Sequence, residues 1–258
     1  MREAVGEREE RAEVVEVFSS FQGEGPLLGC RQVFVRLQGC NLECVYCDTP
    51  QARQEQPHYR VEQTPGRQDF RDGENPITAA ELARLIAALD RPRGLHHSAA
   101  ITGGEPLLRA GFLRELLPLL QRQGWTTYLE TNGTLPEALE QVVEGVGWVS
   151  LDIKLPSALE GREFFAEAEA CLRIARRRQA FVKVVVTPES TAAEIERAVR
   201  TAAEVDRGVP FVLQPATPSA RVKSAPSTAQ LLEWFELAKR QLDDVRVMPQ
   251  MHKQLGLL

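Results

Sequence analysis

The chain has 258 residues, 43% of them hydrophobic, and a formal net charge of −5. That is enough apolar content for one large domain with a core, or two small ones. The negative balance excludes a protein that grips nucleic acid or a membrane surface by bulk electrostatics, and five cysteines in a chain of this length do not make a disulfide framework.

The first thirteen residues form a charged leader without the apolar stretch of a signal peptide. No apolar run approaches bilayer length, so the expected location is the cytoplasm. "EVVEVFSSFQGEGPLLG" joins a short apolar strand to a glycine turn, and "RQVFVRLQG" alternates like a strand. After it comes "GCNLECVYCDT", with Cys40, Cys44 and Cys47 spaced C-x3-C-x2-C. Residues 51–76 are polar, carry Pro, Gly and Gln, and show no apolar period, which predicts a long variable loop.

From residue 77 helices and strands alternate. "TAAELARLIAAL" is a helix with Thr78 as N-cap and Glu81 closing a capping box. "SAAITGGEP" is a strand ending in glycines, and "FLRELLPLLQRQG" a helix that Pro118 is expected to bend. Strand, helix and strand follow in "TTYLETNGT", "PEALEQVVE" and "GWVSLDIK". Then come helix "EFFAEAEACLRIARRR", strand "AFVKVVVTP", helix "TAAEIERAVRTAAEV", strand "PFVLQPAT", helix "STAQLLEWFELAKRQL" and a last short strand in "DVRVMPQ". The basic run within residues 173–179 reads as a solvated helix face. About six β-α units with short connections imply parallel strands covered by helices. Periodicity leaves a complete barrel, a partial barrel and a doubly wound sheet open. In each case the chemistry belongs at the C-terminal strand ends, where "TGGEP", "ETNGT", "SLDIK" and "LQPAT" fall.

Thiolates are soft ligands suited to zinc, copper(I) or iron–sulfur clusters. Zinc would need a fourth ligand, for which His58 is the candidate. A four-iron cube held by three cysteines instead keeps one iron open to an exogenous ligand. Cys30 and Cys171 stand apart and read as buried small apolar residues.

The triple-cysteine spacing with an aromatic, Tyr46, before the last Cys resembles the radical S-adenosylmethionine (SAM) superfamily, in which SAM chelates the open iron. "GGEP" resembles its second motif, which places the backbone of Gly103 and Gly104 and the Glu105 carboxylate at the SAM amino group. The segment "FSSFQGEGPLLGCRQVFVRLQGCNLECVYCDT", with "TGGEP", "ETNGT", "LQP" and the tail "VMPQMHKQLG", resembles more narrowly the 7-carboxy-7-deazaguanine synthase (QueE-type) family. The likeness runs from about residue 17 to the C-terminus and is weakest over residues 51–76.

The resemblance implies a single domain with a partial (β/α)6 TIM-like barrel of the radical SAM type. It implies a lyase that rearranges 6-carboxy-5,6,7,8-tetrahydropterin to 7-carboxy-7-deazaguanine with loss of ammonia, in 7-deazapurine (queuosine-type) biosynthesis. A 4Fe-4S cluster on Cys40, Cys44 and Cys47, regenerated SAM and Mg²⁺ at Thr49 are the implied cofactors. Flavodoxin or ferredoxin as electron donor and a homodimer are the implied partners, with no nucleic acid and no membrane. Besides Tyr46, Gly103, Gly104 and Glu105, the strand-end residues Glu130, Asn132, Ser150, Asp152, Lys154 and Gln214 are carried over to SAM. Gln22, Glu24, Arg36, Thr102, His252 and Lys253 are carried over to the substrate.

A carboxylate or carboxamide can read the amide and amidine edge of a pterin with paired hydrogen bonds. Arg36 is the one charge in its strand; it suits the substrate carboxylate, with a structural salt bridge as the rival reading. Lys183 in "FVKVVV" reads as an edge lysine. In some members the C-terminal carboxylate contacts the substrate. Here Leu258 would supply it, at a terminus that departs from proline, with residues 244–258 forming a tail over the active site. The rival functions are a radical SAM activase that makes a glycyl radical on a partner protein, and a zinc-binding scaffold without catalysis.

Overall fold

A computed structural model describes residues 9–257. Its outer face and inner face follow from one alternation. On β3 (Arg31–Leu37) the residues Val33, Val35 and Leu37 point into the core shared with the helices, while Phe34 belongs to a separate inner cluster. Successive side chains on a strand point to opposite faces, so every strand of this kind is read twice.

Two short edge pieces and one long strand precede the barrel proper: β1 (Arg11–Ala12), which pairs with β6 (Ile77–Thr78), and β2 (Val14–Phe21), antiparallel to β3. Part of the charged leader is thus ordered as a strand. Residues 51–76, expected to be a loop, instead contain the hairpin β4 (His58–Glu62) and β5 (Phe70–Glu74), with β4 parallel to β2. The reason is a short alternation hidden among polar flanks. Tyr59 and Val61 are buried, Gly73 leaves room for the Tyr59 ring, and Arg60 lies over the Phe70 ring at 4.6 Å.

The regular part then runs α1 (Ala79–Leu89), β7 (Ser98–Gly103), α2 (Ala110–Arg122), β8 (Thr127–Thr131), α3 (Pro136–Val142), β9 (Trp148–Asp152) and α4 (Phe165–Ala175). It continues with β10 (Gln179–Val186), α5 (Ala192–Val205), β11 (Phe211–Pro215), α6 (Thr228–Lys239), β12 (Val245–Val247) and α7 (Met251–Gln254). The Thr78–Glu81 capping box forms as expected, and two more, Thr191–Glu194 and Ser227–Gln230, start α5 and α6. Helix α2 continues through Pro118. Both Pro118 and Arg114 are exposed, so the carbonyl that the proline cannot serve lies on the solvent side of the helix.

The sheet order is β12-β11-β10-β9-β8-β7-β3-β2-β4-β5. From β3 to β12 the strands are parallel and follow chain order without a reversal. A doubly wound sheet needs a reversal point. Sequential order with the helices α1–α6 on one face gives a barrel wall instead, and because β12 and β5 remain edges the barrel is partial. Between wall and helices lies the main core, with Leu82, Ile86, Leu113, Leu116, Leu151 and Phe211 at 2% exposure or less. Each such side chain contributes about 1.5–3 kcal/mol when fully buried. Inside the wall, Phe18, Phe34, Ala100, Tyr128, Phe181 and Val212 form an apolar plug toward the N-terminal strand ends. Two residues further along the same inward faces come Arg36, Thr102, Glu130, Lys183 and Gln214, a polar layer above the plug. Cys30 packs on the plug and Cys171 is buried in the main core.

Candidate active site

The polar layer and the loops above it line one open cavity. Cys40, Cys44 and Cys47 line it as free, half-buried thiols. Burial raises the Cys40 and Cys44 thiols above their ordinary range, a cost that metal bonding to the thiolates offsets. The loop is anchored rather than loose. Asn132 Nδ2 donates to Asn41 Oδ1 at 2.9 Å, and Asn41 Nδ2 donates to Thr134 Oγ1 at 2.8 Å. The Glu105 amide donates to the Gly39 carbonyl at 2.7 Å. His58 is exposed on β4, so the fourth ligand suggested for zinc is elsewhere. Among the described residues no three His, Cys, Asp or Glu side chains are gathered as one metal ion requires. Three thiols on one short loop, with no fourth Cys or His gathered beside them among the described residues, suit a cluster with an open iron.

Glycines fit the second motif against this loop. A Cβ on Gly104 would stand 1.9 Å from the Gly39 oxygen and 3.1 Å from Cys40 Cβ, and Gly103 has φ +120°. Gly104→Ala must displace the backbone next to Cys40. It should cost about 1–3 kcal/mol of stability and lower the iron retained after anaerobic reconstitution, read by iron content and thermal melting of the same sample.

Glu105 is enclosed by protein donors. Its side chain does not line the cavity: Oε1 accepts from the Leu107 amide and the Thr131 hydroxyl, and Oε2 accepts from the Asn132 amide. The carboxylate ties β7 to the end of β8. Burial pushes it up to about 7 despite those three donors. Only the glycines of this motif face the cavity.

In the same cavity Glu24 is buried, and its Oε2 meets the Lys183 ammonium at 2.5 Å. Gln214 and Gln250 donate to Oε1 at 3.0 and 2.9 Å. Burial would raise this carboxyl, yet the charge and hydrogen bond of Lys183, with the Gln250 bond, hold it at about 2. Lys183 also lies 3.3 Å from Asp152 Oδ2, which takes Lys154 Nζ at 2.8 Å. Burial would lower both lysines, but Glu24 and Asp152 around Lys183, and Asp152 beside Lys154, hold both well above the ordinary lysine range. Reading Lys183 as an edge lysine is therefore wrong. It points inward from the middle of β10 and joins the two acids.

Arg36 realises its rival reading: Nε meets Glu16 Oε1 at 2.7 Å, while Nη1 reaches Thr49 Oγ1 at 3.4 Å and the side chain still lines the cavity. Thr102 Oγ1 donates to Glu130 Oε2 at 2.8 Å, and Gln22 Nε2 donates to Glu130 Oε1 at 3.3 Å. Burial, with repulsion from Glu24, raises Glu130 against the pull of Lys183. His252 of the tail lines the cavity against Gly23, where a Cβ would lie 2.1 Å from its Nδ1. Burial lowers its ring below the ordinary histidine range. Lys253 is not on the cavity wall; it is half exposed, 4.0 Å from Asp48 Oδ2. Leu258 lies outside the described residues.

All other predicted site residues meet on this one cavity, Ser150, Asn132 and Tyr46 included. Residues absent from the prediction also line it, chiefly Lys183, Asp48, Arg53 and Gln250. Three buried polar atoms among the lining side chains lack partners: Tyr46 Oη, Asp152 Oδ1 and Gln214 Oε1. Buried polar groups are almost always satisfied, so these atoms call for a ligand with donors and an acceptor. The hydroxyls and ammonium of SAM supply such groups, and the cavity's donor set fits both it and the cluster.

Residues 34–212 match the Radical SAM superfamily. The 7-carboxy-7-deazaguanine synthase of Geobacter sulfurreducens is 45% identical over 96% of this chain and 98% of its own length. That of Methanothermobacter thermautotrophicus is 38% identical over 96% and 98%. The crystal structure of QueE from Escherichia coli shares the fold, with TM-score 0.62 at 22% identity, covering 94% of this chain and 95% of that one. A cysteine-lined partial barrel with relatives this similar along nearly its whole length places the chain in the 7-carboxy-7-deazaguanine synthase family of the radical SAM superfamily.

Proposed function

We propose that the chain is itself a 7-carboxy-7-deazaguanine synthase, a lyase that converts 6-carboxy-5,6,7,8-tetrahydropterin to 7-carboxy-7-deazaguanine with loss of ammonia. The observation that carries this reading is one cavity lined both by three free thiols and by an ionised, buried carboxylate, Glu24. Cys40, Cys44 and Cys47 would hold a 4Fe-4S cluster, which with SAM supplies one-electron reductive chemistry when bound.

The protein's own residues do the rest. Glu24 accepts from the pterin edge, and Lys183 keeps it ionised and aimed. Arg36, with Nε committed to Glu16, offers its remaining guanidinium donors to the substrate carboxylate. Asp152, Gln214 and Tyr46 take the cofactor's polar groups, and Lys154 covers the Tyr46 ring at 5.2 Å. The tail reaches the substrate side through Met251, whose amide donates to the Gly23 carbonyl at 3.0 Å, and excludes water from a reactive centre.

Magnesium belongs to the same proposal. The buried Thr49 hydroxyl donates to Asp48 Oδ1 at 3.0 Å, giving hard oxygens on one turn. With Arg36 close on the other side, a second cation is favourable there only beside carboxylates, those of Asp48 and of the substrate. Thr49→Val should weaken Mg²⁺ activation at least ~10-fold, read as the Mg²⁺ concentration for half-maximal rate. A flavodoxin- or ferredoxin-type electron donor, a homodimer and a cytoplasmic location complete the proposal. No helix among the described residues is long and apolar enough to cross a membrane. The test is incubation of reduced, cluster-loaded protein with SAM, Mg²⁺ and the carboxypterin. Appearance of the deazaguanine acid by mass is expected, and its absence from a sample that carries about four irons per chain overturns the assignment.

A further inference from the structure

A carboxylate oxygen offers about two lone pairs to donors. Glu24 Oε1 already accepts from Gln214 and from Gln250, so it is full, while Oε2 accepts from Lys183 and keeps one free. Reading a planar donor edge with paired hydrogen bonds needs one free position on each oxygen. As it stands Glu24 cannot make that pair, and one donor on Oε1 must leave.

The two donors on Oε1 differ in how firmly they are held. Gln214 is 1% exposed on β11, one strand in from the sheet edge, where its backbone is paired to β10. Gln250 is half-buried in the tail beyond β12. Its Nε2 is shared with Asp48 Oδ2 at 3.3 Å, and its Oε1 accepts from the Thr217 hydroxyl at 2.7 Å. A carboxamide here presents N–H donors to two carboxylates, the same chemistry an amino-pyrimidine edge would present.

We propose that Gln250 is an exchangeable occupant of the recognition carboxylate: it stands on Glu24 Oε1 where the substrate's donor will be, and it lets go when the substrate binds. The exchange keeps Glu24 satisfied in the empty enzyme and makes substrate binding and tail rearrangement one event. This rests on reading Glu24 as the group that binds the pterin edge.

The test measures the dissociation constant of 6-carboxytetrahydropterin for cluster-loaded, SAM-bound, unreduced protein. Gln250→Ala removes a competitor worth one hydrogen bond and should bind the substrate about 3–10-fold tighter. In a crystal of the unmutated holoenzyme with substrate bound, the Gln250 amide should stand beyond hydrogen-bond reach of Glu24. Equal or weaker binding by Gln250→Ala, or a Gln250–Glu24 bond retained beside bound substrate, overturns the exchange. Glu24→Gln separates the two claims. If it binds substrate as tightly as the unmutated protein, the Glu24 reading falls and the exchange with it. If it loses binding more than ~10-fold while Gln250→Ala gains none, only the exchange falls.

Discussion

Cys44→Ser should abolish turnover and the broad visible absorbance of the reconstituted protein while leaving the far-ultraviolet circular dichroism unchanged. A hydroxyl is a poor ligand for a four-iron cluster, and each of the three thiols carries one iron. None of the three is part of the packed core: all are half-buried on the cavity wall, and the loop is held by Asn41, Asn132 and the Gly39 carbonyl rather than by the sulfurs. Fold and cluster are therefore separable here. Retention of about four irons per chain by Cys44→Ser would show that the cluster is held elsewhere. Cys171→Ser is the control. That thiol lies in the main core, burial pushes it up to about 12, and its loss should affect stability and leave iron content alone.

Lys183→Met should be the most destabilising single change in the cavity. It strands the Glu24 carboxylate in a site where burial already disfavours charge, and breaking a buried pair from one side costs about 3–5 kcal/mol. Adding Glu24→Gln removes the orphaned charge and should restore most of that loss, so the pair is strongly non-additive. Anaerobic urea unfolding of the two single variants and the double variant measures the cycle, and additive losses would show that the two groups are independent. Neither the double variant nor either single variant should turn over the substrate.

The pH dependence follows from the signs of the two shifts. Glu24 is lowered from an ordinary 4.5 to about 2, so its stabilisation is complete above 4.5 and is lost as pH falls toward 2. Lys183 is raised above an ordinary 10.5, so its contribution is complete below 10.5 and fades only at higher pH. The pair gives a plateau between those limits, and the double variant should lack its acid edge.

Lys183 also shows where sequence reading went short. Arg36 in "VFVRL" and Lys183 in "FVKVVV" are the same signal, a lone charge among alternating apolar residues, and each lies two residues beyond an inward phenylalanine of the plug. The argument that a strand charge is costly unless partnered applies equally to both. The role of Lys183 is not legible locally because its partner, Glu24, lies 159 residues away. Glu105 is a second such residue. Its motif is legible, but the three donors that enclose its side chain come from two different strand ends. The hairpin within residues 51–76 escaped because its alternation covers only Tyr59 and Val61, too few positions to stand out from polar neighbours.

The β-α rhythm, the capping box at Thr78 and the three-cysteine loop are properties of local order, and residue spacing alone determined them. Period two and period 3.6 are built into the backbone, and three thiols within eight positions on one loop stay together whatever the rest of the chain does. Tertiary structure decided the direction of winding, the partial closure of the barrel and the electrostatic identity of Glu24. Those depend on which distant strands become neighbours: burial alone would favour the neutral form of this carboxyl, and packing brings the lysine and the two carboxamides that hold it ionised.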